Sequence, residues 1–218
     1  MNTQLRRRLA ALDAASLADA DKSLRVMDSG LRPLREGLKL VGIARTISCS
    51  EDFLTIIKAL DESQPGEVLV VDTQHSQRAV VGELFSLEAE RRGLAWIIVD
   101  GPVRDISAVK TLSMSVYARS FCPCSGTTRQ LGKTQLEIDC GGVVVRPGDI
   151  IVGDDDGVIV GSETELSAVL DSAEMIQTSE AQIRERMACG ESLLQMLNYA
   201  EHVAAIERGE ASQLAFKL

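Results

Sequence analysis

Residues 67–105 read "EVLVVDTQHSQRAVVGELFSLEAERRGLAWIIVDGPVRD". Two apolar runs, "EVLVVD" (67–72) and "LAWIIVD" (94–100), bracket a segment of different period. Within it "AVVGELFSLEAERR" (79–92) carries Leu84, Leu87 and Arg91 at i, i+3 and i+7, and Gly93 follows as a helix stop. Continuous apolar strands on either side of a helix predict a right-handed parallel βαβ unit with both sheet faces buried. The second strand is expected to end in a tight turn at "DGPVRD" (100–105), which presents an arginine among acids.

The flanks extend this unit. "LVGIARTI" (40–47) reads as a further strand, and Asp52 to Leu60 as a helix stopped by "QPG" (64–66). "SVYARS" (115–120) and residues 134–161 are rich in Val, Ile, Gly and Asp. They predict short antiparallel strands joined by turns at Gly141–Gly142, Pro147–Gly148 and Asp154–Gly157. Before the core, Leu5, Leu9 and Leu12 mark one helix, and a second is expected from Ser16 to about Met27; "GLRPLREG" (30–37) is a turn-rich connection. After it, Leu166, Val169, Leu170, Ala173, Ile176, Ile183 and Met187 form one helical stripe ended by Gly190. Leu193, Leu194, Leu197, Ala200 and Ala204 form another. The expected class is α/β, with N-terminal helices in 1–36, a site-bearing core in 37–162 and C-terminal helices in 163–218.

Composition narrows the function. At 218 residues, 45% hydrophobic and 25% charged, the chain can build one sizeable core, and with 3% aromatics that core is aliphatic. A net charge of −9 argues against a broad nucleic-acid surface and requires any anion site to be made locally. Five cysteines, at 49, 122, 124, 140 and 189, form no even framework and read as reduced thiols of a cytoplasmic protein. The start, "MNTQLRRRLAALDAAS", reads as a charged amphipathic helix, and no apolar run approaches bilayer length.

Element lengths gather the chemistry at one place. A helix from Glu83 to Arg92 advances about 15 Å at 1.5 Å per residue. The strand 94–99 returns about 20 Å. Glu83 and Asp100–Asp105 therefore share one sheet edge with Asp72, where α/β proteins bind ligands. Gly82 permits close approach, and the amides of Glu83, Leu84 and Phe85 at the helix start can hold a carboxylate or phosphate. Arg104 offers a planar fork for a carboxylate or enolate. Asp105 and Glu83 are hard oxygen ligands that suit Mg²⁺ or Mn²⁺, while Asp100 shapes the turn and stands at most behind them. On pattern alone, an Arg-Asp pair after a strand is equally a surface ion pair or a helix N-cap.

"GELFSLEAERRGLAWIIVDGPVRD" (82–105) resembles the signature of a family that joins regulators of ribonuclease activity (RraA-like proteins) to class II 4-hydroxy-4-methyl-2-oxoglutarate/4-carboxy-4-hydroxy-2-oxoadipate aldolases. That signature is an acidic residue, twenty intervening residues and Arg-Asp, met here by Glu83, Arg104 and Asp105. "GGVVVRPGDIIVGDDDGVIV" (141–160) resembles a second family run, and the similarity covers about residues 37–187. The resemblance implies a swivelling-type α/β/β sandwich that assembles as a homotrimer or dimer of trimers, with the site near a subunit boundary. It implies a metal-dependent pyruvate aldolase with oxaloacetate decarboxylase side activity. Asp105 would hold Mg²⁺ or Mn²⁺, Arg104 would stabilise the enolate, the Gly82–Phe85 backbone would bind the carboxylate, and Glu83 would position a water. The aldolases carry Asp at the position of Glu83, and the ribonuclease regulators lack the Arg-Asp pair kept here. The competing implication is a non-catalytic protein-binding trimer; neither nucleic acid nor membrane is an expected partner.

Other motifs read as structural. "CPC" (122–124) with Cys140 lacks the spacing of a zinc site, and "GDDDG" (153–157) lacks that of a calcium loop. His75 follows the 67–72 strand as a loop residue that can also reach substrate.

Overall fold

The computed structural model describes residues 1–217; residue 218, the end of the expected C-terminal segment, lies outside the described residues. The chain opens with α1 (Thr3–Ala11) and α2 (Ala14–Ala20), whose first turns are capped by the side chains of Asn2 and Asp13. Then come β1 (Arg25–Val26), β2 (Arg32–Pro33), β3 (Leu40–Ser48), α3 (Leu54–Glu62), β4 (Glu67–Asp72), α4 (Glu83–Arg91), β5 (Trp96–Val103) and α5 (Ile106–Val109). Strands β6 (Val116–Phe121), β7 (Lys133–Thr134), β8 (Ile138–Cys140), β9 (Val143–Val145), β10 (Ile150–Asp154) and β11 (Gly157–Gly161) follow. Helix α6 (Glu163–Ala188), a 3-10 turn at Leu193–Met196 and α7 (Tyr199–Glu207) complete the described elements.

The main sheet has the order β1-β11-β10-β3-β4-β5-β6-β2, with β7 paired to β3. Its middle, β3-β4-β5-β6, is parallel, and both flanks are antiparallel. Strand alternation sorts the core into two faces. Leu69, Val71, Ile97 and Val99 pack with Ile56, Ala59 and Leu60 of α3, Ala89 of α4 and Val109 of α5. Val68, Val70, Trp96 and Ile98 pack instead with Ile138, Cys140 and Val145 of the separate β8–β9 hairpin. Leu9 and Leu17 of the first helices, with Leu166 and Leu170 of α6, cover Val41, Ile150, Val152 and Ile159. Helices, sheet and hairpin make the expected α/β/β sandwich. Among the described residues no helix is long and apolar enough to cross a membrane.

Four local expectations change. The second helix stops at Ala20, because Arg25 and Val26 pair with Val160 and Ile159 of β11. Helix α4 begins at Glu83 instead of Ala79: Ala79–Val81 are buried and extended, with Ala79 bridged to Ser125 and Val81 to Val103. Segment 100–103 is strand and not a turn; after a register shift past Val99, Pro102 and Val103 pair with Ser120 and Phe121. Strand β6 is parallel to β5, so "SVYARS" extends the parallel sheet.

The chain divides into two compact units, one of Met1–Ala173 and one from Glu174 onward. In the second, a bridge between Leu197 and Phe216 closes the segment around α7. The Asn198 side chain supports that closure, donating to the Gln213 carbonyl at 3.0 Å and accepting from the Ala215 amide at 2.7 Å.

Candidate active site

The site forms where β5 leaves the sheet beside the start of α4. The Arg104 amide donates to the Val81 carbonyl at 3.1 Å, which ties the end of β5 to the arm that leads into α4. Asp105 then adopts a left-handed conformation, φ 58°, at the entrance to α5. For a residue with a side chain that conformation costs about 1–2 kcal/mol. The cost is met where the fold turns the carboxylate away from its own helix: Asp105 makes no capping bond to α5. Its Oδ2 accepts instead from the Glu83 amide at 3.2 Å and lies 3.3 Å from Arg104 Nε. Glu51, Gln74, His75 and Gln135 share the left-handed conformation; at Asp105 it is what sets the carboxylate against the start of α4.

Gly82 is required there by space. Its backbone is extended, φ −156°, so no unusual conformation demands glycine. A Cβ would instead meet Asp105 Oδ2 at 2.5 Å and Arg104 Cγ at 2.8 Å. The absent side chain lets Arg104 and Asp105 lie against the start of α4. Ser86 Oγ and the Ser86 amide both return to the Gly82 carbonyl, fixing the helix entrance.

Gly82, Glu83, Leu84, Phe85, Arg104 and Asp105 are thus brought together, with one change in the anion cradle. The Glu83 amide is engaged by Asp105, which leaves the Leu84 and Phe85 amides for an anion. Arg104 and Asp105 side chains are each 39% exposed, so their ion pair leaves the site open. A hollow of about 260 Å³ adjoins them, walled by Phe53, Ile57, Val80, Leu84 and Phe85. The Phe53 and Phe85 rings are tilted against each other with centroids 5.5 Å apart. The donors fit a hard cation: Asp105 presents a half-exposed carboxylate beside the carboxylate-bearing Glu83. Mg²⁺ and Mn²⁺ bind with one or two such groups while retaining waters.

Asp100 is not part of that donor set. Its Oδ1 accepts from Arg119 Nε and its Oδ2 from the Gly141 amide at 2.7 Å. Arg119 also donates to Asp28 Oδ1 at 2.9 Å, and Asp28 caps the Gly30 amide. The hydrogen bond to Asp100 first, then that to Asp28, raises the Arg119 pKa and keeps the guanidinium charged. This chain of charges fastens the β8–β9 hairpin to the sheet edge. Sequence reasoning missed Arg119 and Asp28; the register that sets Ala118 opposite Val99 would have placed Arg119 beside Asp100. Asp72, at the end of β4, accepts from Ser48 Oγ at 3.2 Å and from the Gln74 amide at 2.7 Å, closing a loop instead of facing Arg104. His75, also left-handed at φ 59°, lines a separate hollow with Asp100, Arg119 and Cys122. Cys122 and Cys124 are free thiols; the Cys122 amide holds the Val103 carbonyl, and the Cys124 carbonyl holds the Ala79 amide.

A parallel-centred α/β/β sandwich with an Arg-Asp pair set against a helix entrance defines a recognisable class. The chain matches the RraA-like family (Aldolase/RraA) over residues 13–160, and it belongs to that family. It is 38% identical over 174 residues to an uncharacterised protein of Methanocaldococcus jannaschii, covering 78% of this chain and 84% of that one. It is 36% identical over 187 residues to a protein of Halalkalibacterium halodurans provisionally named as a 4-hydroxy-4-methyl-2-oxoglutarate aldolase, covering 85% and 88%. Among solved structures it resembles RraAS2 of Streptomyces coelicolor, described as an unusual member of the RNase ES inhibitor RraA protein family. That likeness has a TM-score of 0.75 and 30% identity, over 84% of this chain and 97% of that one.

Proposed function

We propose that the protein is a divalent-metal-dependent lyase that cleaves a 4-hydroxy-2-oxo acid to pyruvate. One observation carries the reading: an arginine and a strained aspartate are pinned beside two unengaged helix-entrance amides. The 4-hydroxy-4-methyl-2-oxoglutarate named for the Halalkalibacterium relative, a dicarboxylic acid, is the first substrate to test.

In this mechanism the Leu84 and Phe85 amides hold the C1 carboxylate at the positive end of α4. Arg104 donates to the C2 oxygen and stabilises the negative charge that gathers there as the C3–C4 bond breaks. Glu83 holds a water through which the C4 hydroxyl proton passes to its carboxylate, so that the C4 oxygen is released as a carbonyl. The same water returns that proton to C3 of the enolate, which yields pyruvate. Asp105 would hold Mg²⁺ or Mn²⁺, which supplies Lewis-acid neutralisation of the same developing charge. Loss of CO₂ from oxaloacetate passes through the same enolate, so decarboxylation is the expected second activity.

The Streptomyces relative's description supports a second reading, in which the same assembly is a protein-binding inhibitor without catalysis. Pyruvate release from 4-hydroxy-4-methyl-2-oxoglutarate and from oxaloacetate, with and without Mg²⁺, separates the two. Metal-dependent turnover abolished by Asp105→Ala supports the lyase; no turnover of either compound, or turnover indifferent to Asp105, overturns it.

A further inference from the structure

We infer that helix α7 of one copy of this chain seats in the groove between α3 and α4 of a second copy, whether or not the protein is a lyase. The groove, about 680 Å³, has Leu54 and Ile57 of α3 on one wall, Leu84 and Phe85 of α4 on the other, and Leu131 at its edge. Ile57, Leu84 and Leu131 are all exposed in the single chain. Helix α7 offers the ridge that such a groove takes. Tyr199 and Ile206, at i and i+7, are exposed, and His202 and Val203, at i+3 and i+4, are half-buried between them. That spacing puts the four on one face, the pattern by which an amphipathic helix enters an apolar groove. The ridge is also held ready. Asn198 fastens the start of α7 to Gln213 and Ala215, and Lys217 Nζ bonds Glu201 Oε1 at 2.8 Å, so little order is lost on docking.

Charge favours the same fit. Lys58 and Arg92 stand on the groove walls, and α7 brings Glu201 and Glu207. The present partners of those cations, Glu62 and Glu88, are i,i+4 neighbours at 2.9 Å and 2.7 Å on the helix surface, a weak kind of pair that a new acid can share. Groove and ridge are different surfaces of the same chain, so joining them makes a head-to-tail contact, the kind that closes a ring such as a trimer. Each surface supplies what the other lacks, which makes a second copy the occupant. Leu84 and Phe85 belong also to the candidate site, so the seated helix adjoins its entrance. Helix α7 lies beyond residue 160, where the family match ends.

The test places two lysines in different chains. Lys58 stands on the groove wall, and Lys217 lies beside α7 through Glu201. Full-length Lys58→Arg and Lys217→Arg chains are co-expressed, purified together and treated with an amine-reactive cross-linker. Neither chain keeps both lysines, so a 58–217 link found by mass spectrometry joins two copies, and that link is expected. Ile206→Glu or Ile57→Glu, at side chains 57% and 42% exposed, each placed in both chains, should cut its yield about tenfold or more while the thermal unfolding midpoint stays unchanged. A 58–217 link in the parent chain that is absent from the co-expressed pair would put α7 on its own groove and overturn the contact between copies. No link in either sample, or a link that survives both substitutions, overturns it as well.

Discussion

In the proposed mechanism Asp105 is the residue on which metal binding and the placing of Arg104 both depend. Its left-handed backbone aims the carboxylate at the Glu83 amide and Arg104. Asp105→Ala should lower metal-dependent pyruvate release by about 10³-fold, since charge neutralisation and positioning are lost together. Arg104→Lys keeps the charge but loses the planar fork, and should cost about 10²-fold in kcat with a smaller change in KM. Gly82→Ala is the sharpest steric test. The added methyl meets Asp105 Oδ2 and Arg104 Cγ inside contact distance, so those groups must move. Activity should fall about 10²-fold, because displacements of this size misalign reacting groups. A midpoint of thermal unfolding that dropped in proportion would show that the effect was on folding.

The elements are held by buried polar anchors between them. Asp52 is 3% exposed and organises the segment before α3. It accepts from the Leu54 amide at 3.0 Å, from Thr127 Oγ1 at 2.7 Å and from the Gln130 amide at 3.0 Å, with the Arg129 amide as a fourth donor. Desolvation pushes the carboxyl pKa up, but these hydrogen bonds outweigh it and hold the value down at about 2. A depressed folded-state value means stability that is present above the ordinary value of 3.8 and lost as pH falls through about 2. Urea unfolding of the parent chain should therefore weaken across that acid window, and an Asp52→Asn variant should lack that part of the slope. Asp52→Ala at neutral pH should cost about 2–3 kcal/mol, because several buried donors lose a charged acceptor. On the opposite face Asp100 ties Arg119 and the Gly141 amide together. Its replacement is expected to loosen the β8–β9 hairpin, read as faster amide exchange at Val143–Val145 than elsewhere in the sheet.

For the molecule as a whole, one chain leaves the site open to solvent: Arg104 and Asp105 are partly exposed, and Leu84 beside them is 72% exposed. Exposed apolar side chains around the candidate site fit burial by another subunit. The homotrimer implied by the family resemblance should appear in light scattering as a mass three times that of the 218-residue chain, or six times for a dimer of trimers. A monomer at micromolar concentration would remove the subunit boundary from the mechanism. The C-terminal unit carries Leu193, Leu194, Tyr199 and Ile206 in exposed positions, and lies beyond the family match that ends at residue 160.

Local pattern was enough for much of this. The apolar runs at 68–71 and 94–99 read as short strands covered on both faces, and helix and strand lengths then return Glu83 and Arg104 to one edge. The turns at Gly141–Gly142 and Gly148 were legible because their backbones take positive φ, 64°, 73° and 87°. Period and length report on one element at a time, and they failed wherever a neighbour set the conformation. Ala79–Val81 was read into the helix by its place next to it, yet Val80 and Val81 are β-branched and the segment is extended, with bridges to Ser125 and Val103. Asp100–Val103 has turn composition but stays in the sheet because β6 supplies partners. The family resemblance singled out Asp105 among the three carboxylates near the edge; packing shows what the other two hold. Asp100 was committed to Arg119 and the hairpin, Asp72 to its loop, and Asp105 was turned by a single left-handed residue toward α4. Short-range propensities are carried by each residue and its near neighbours in the chain, whereas the partner of a charge depends on elements that meet only after the chain has folded.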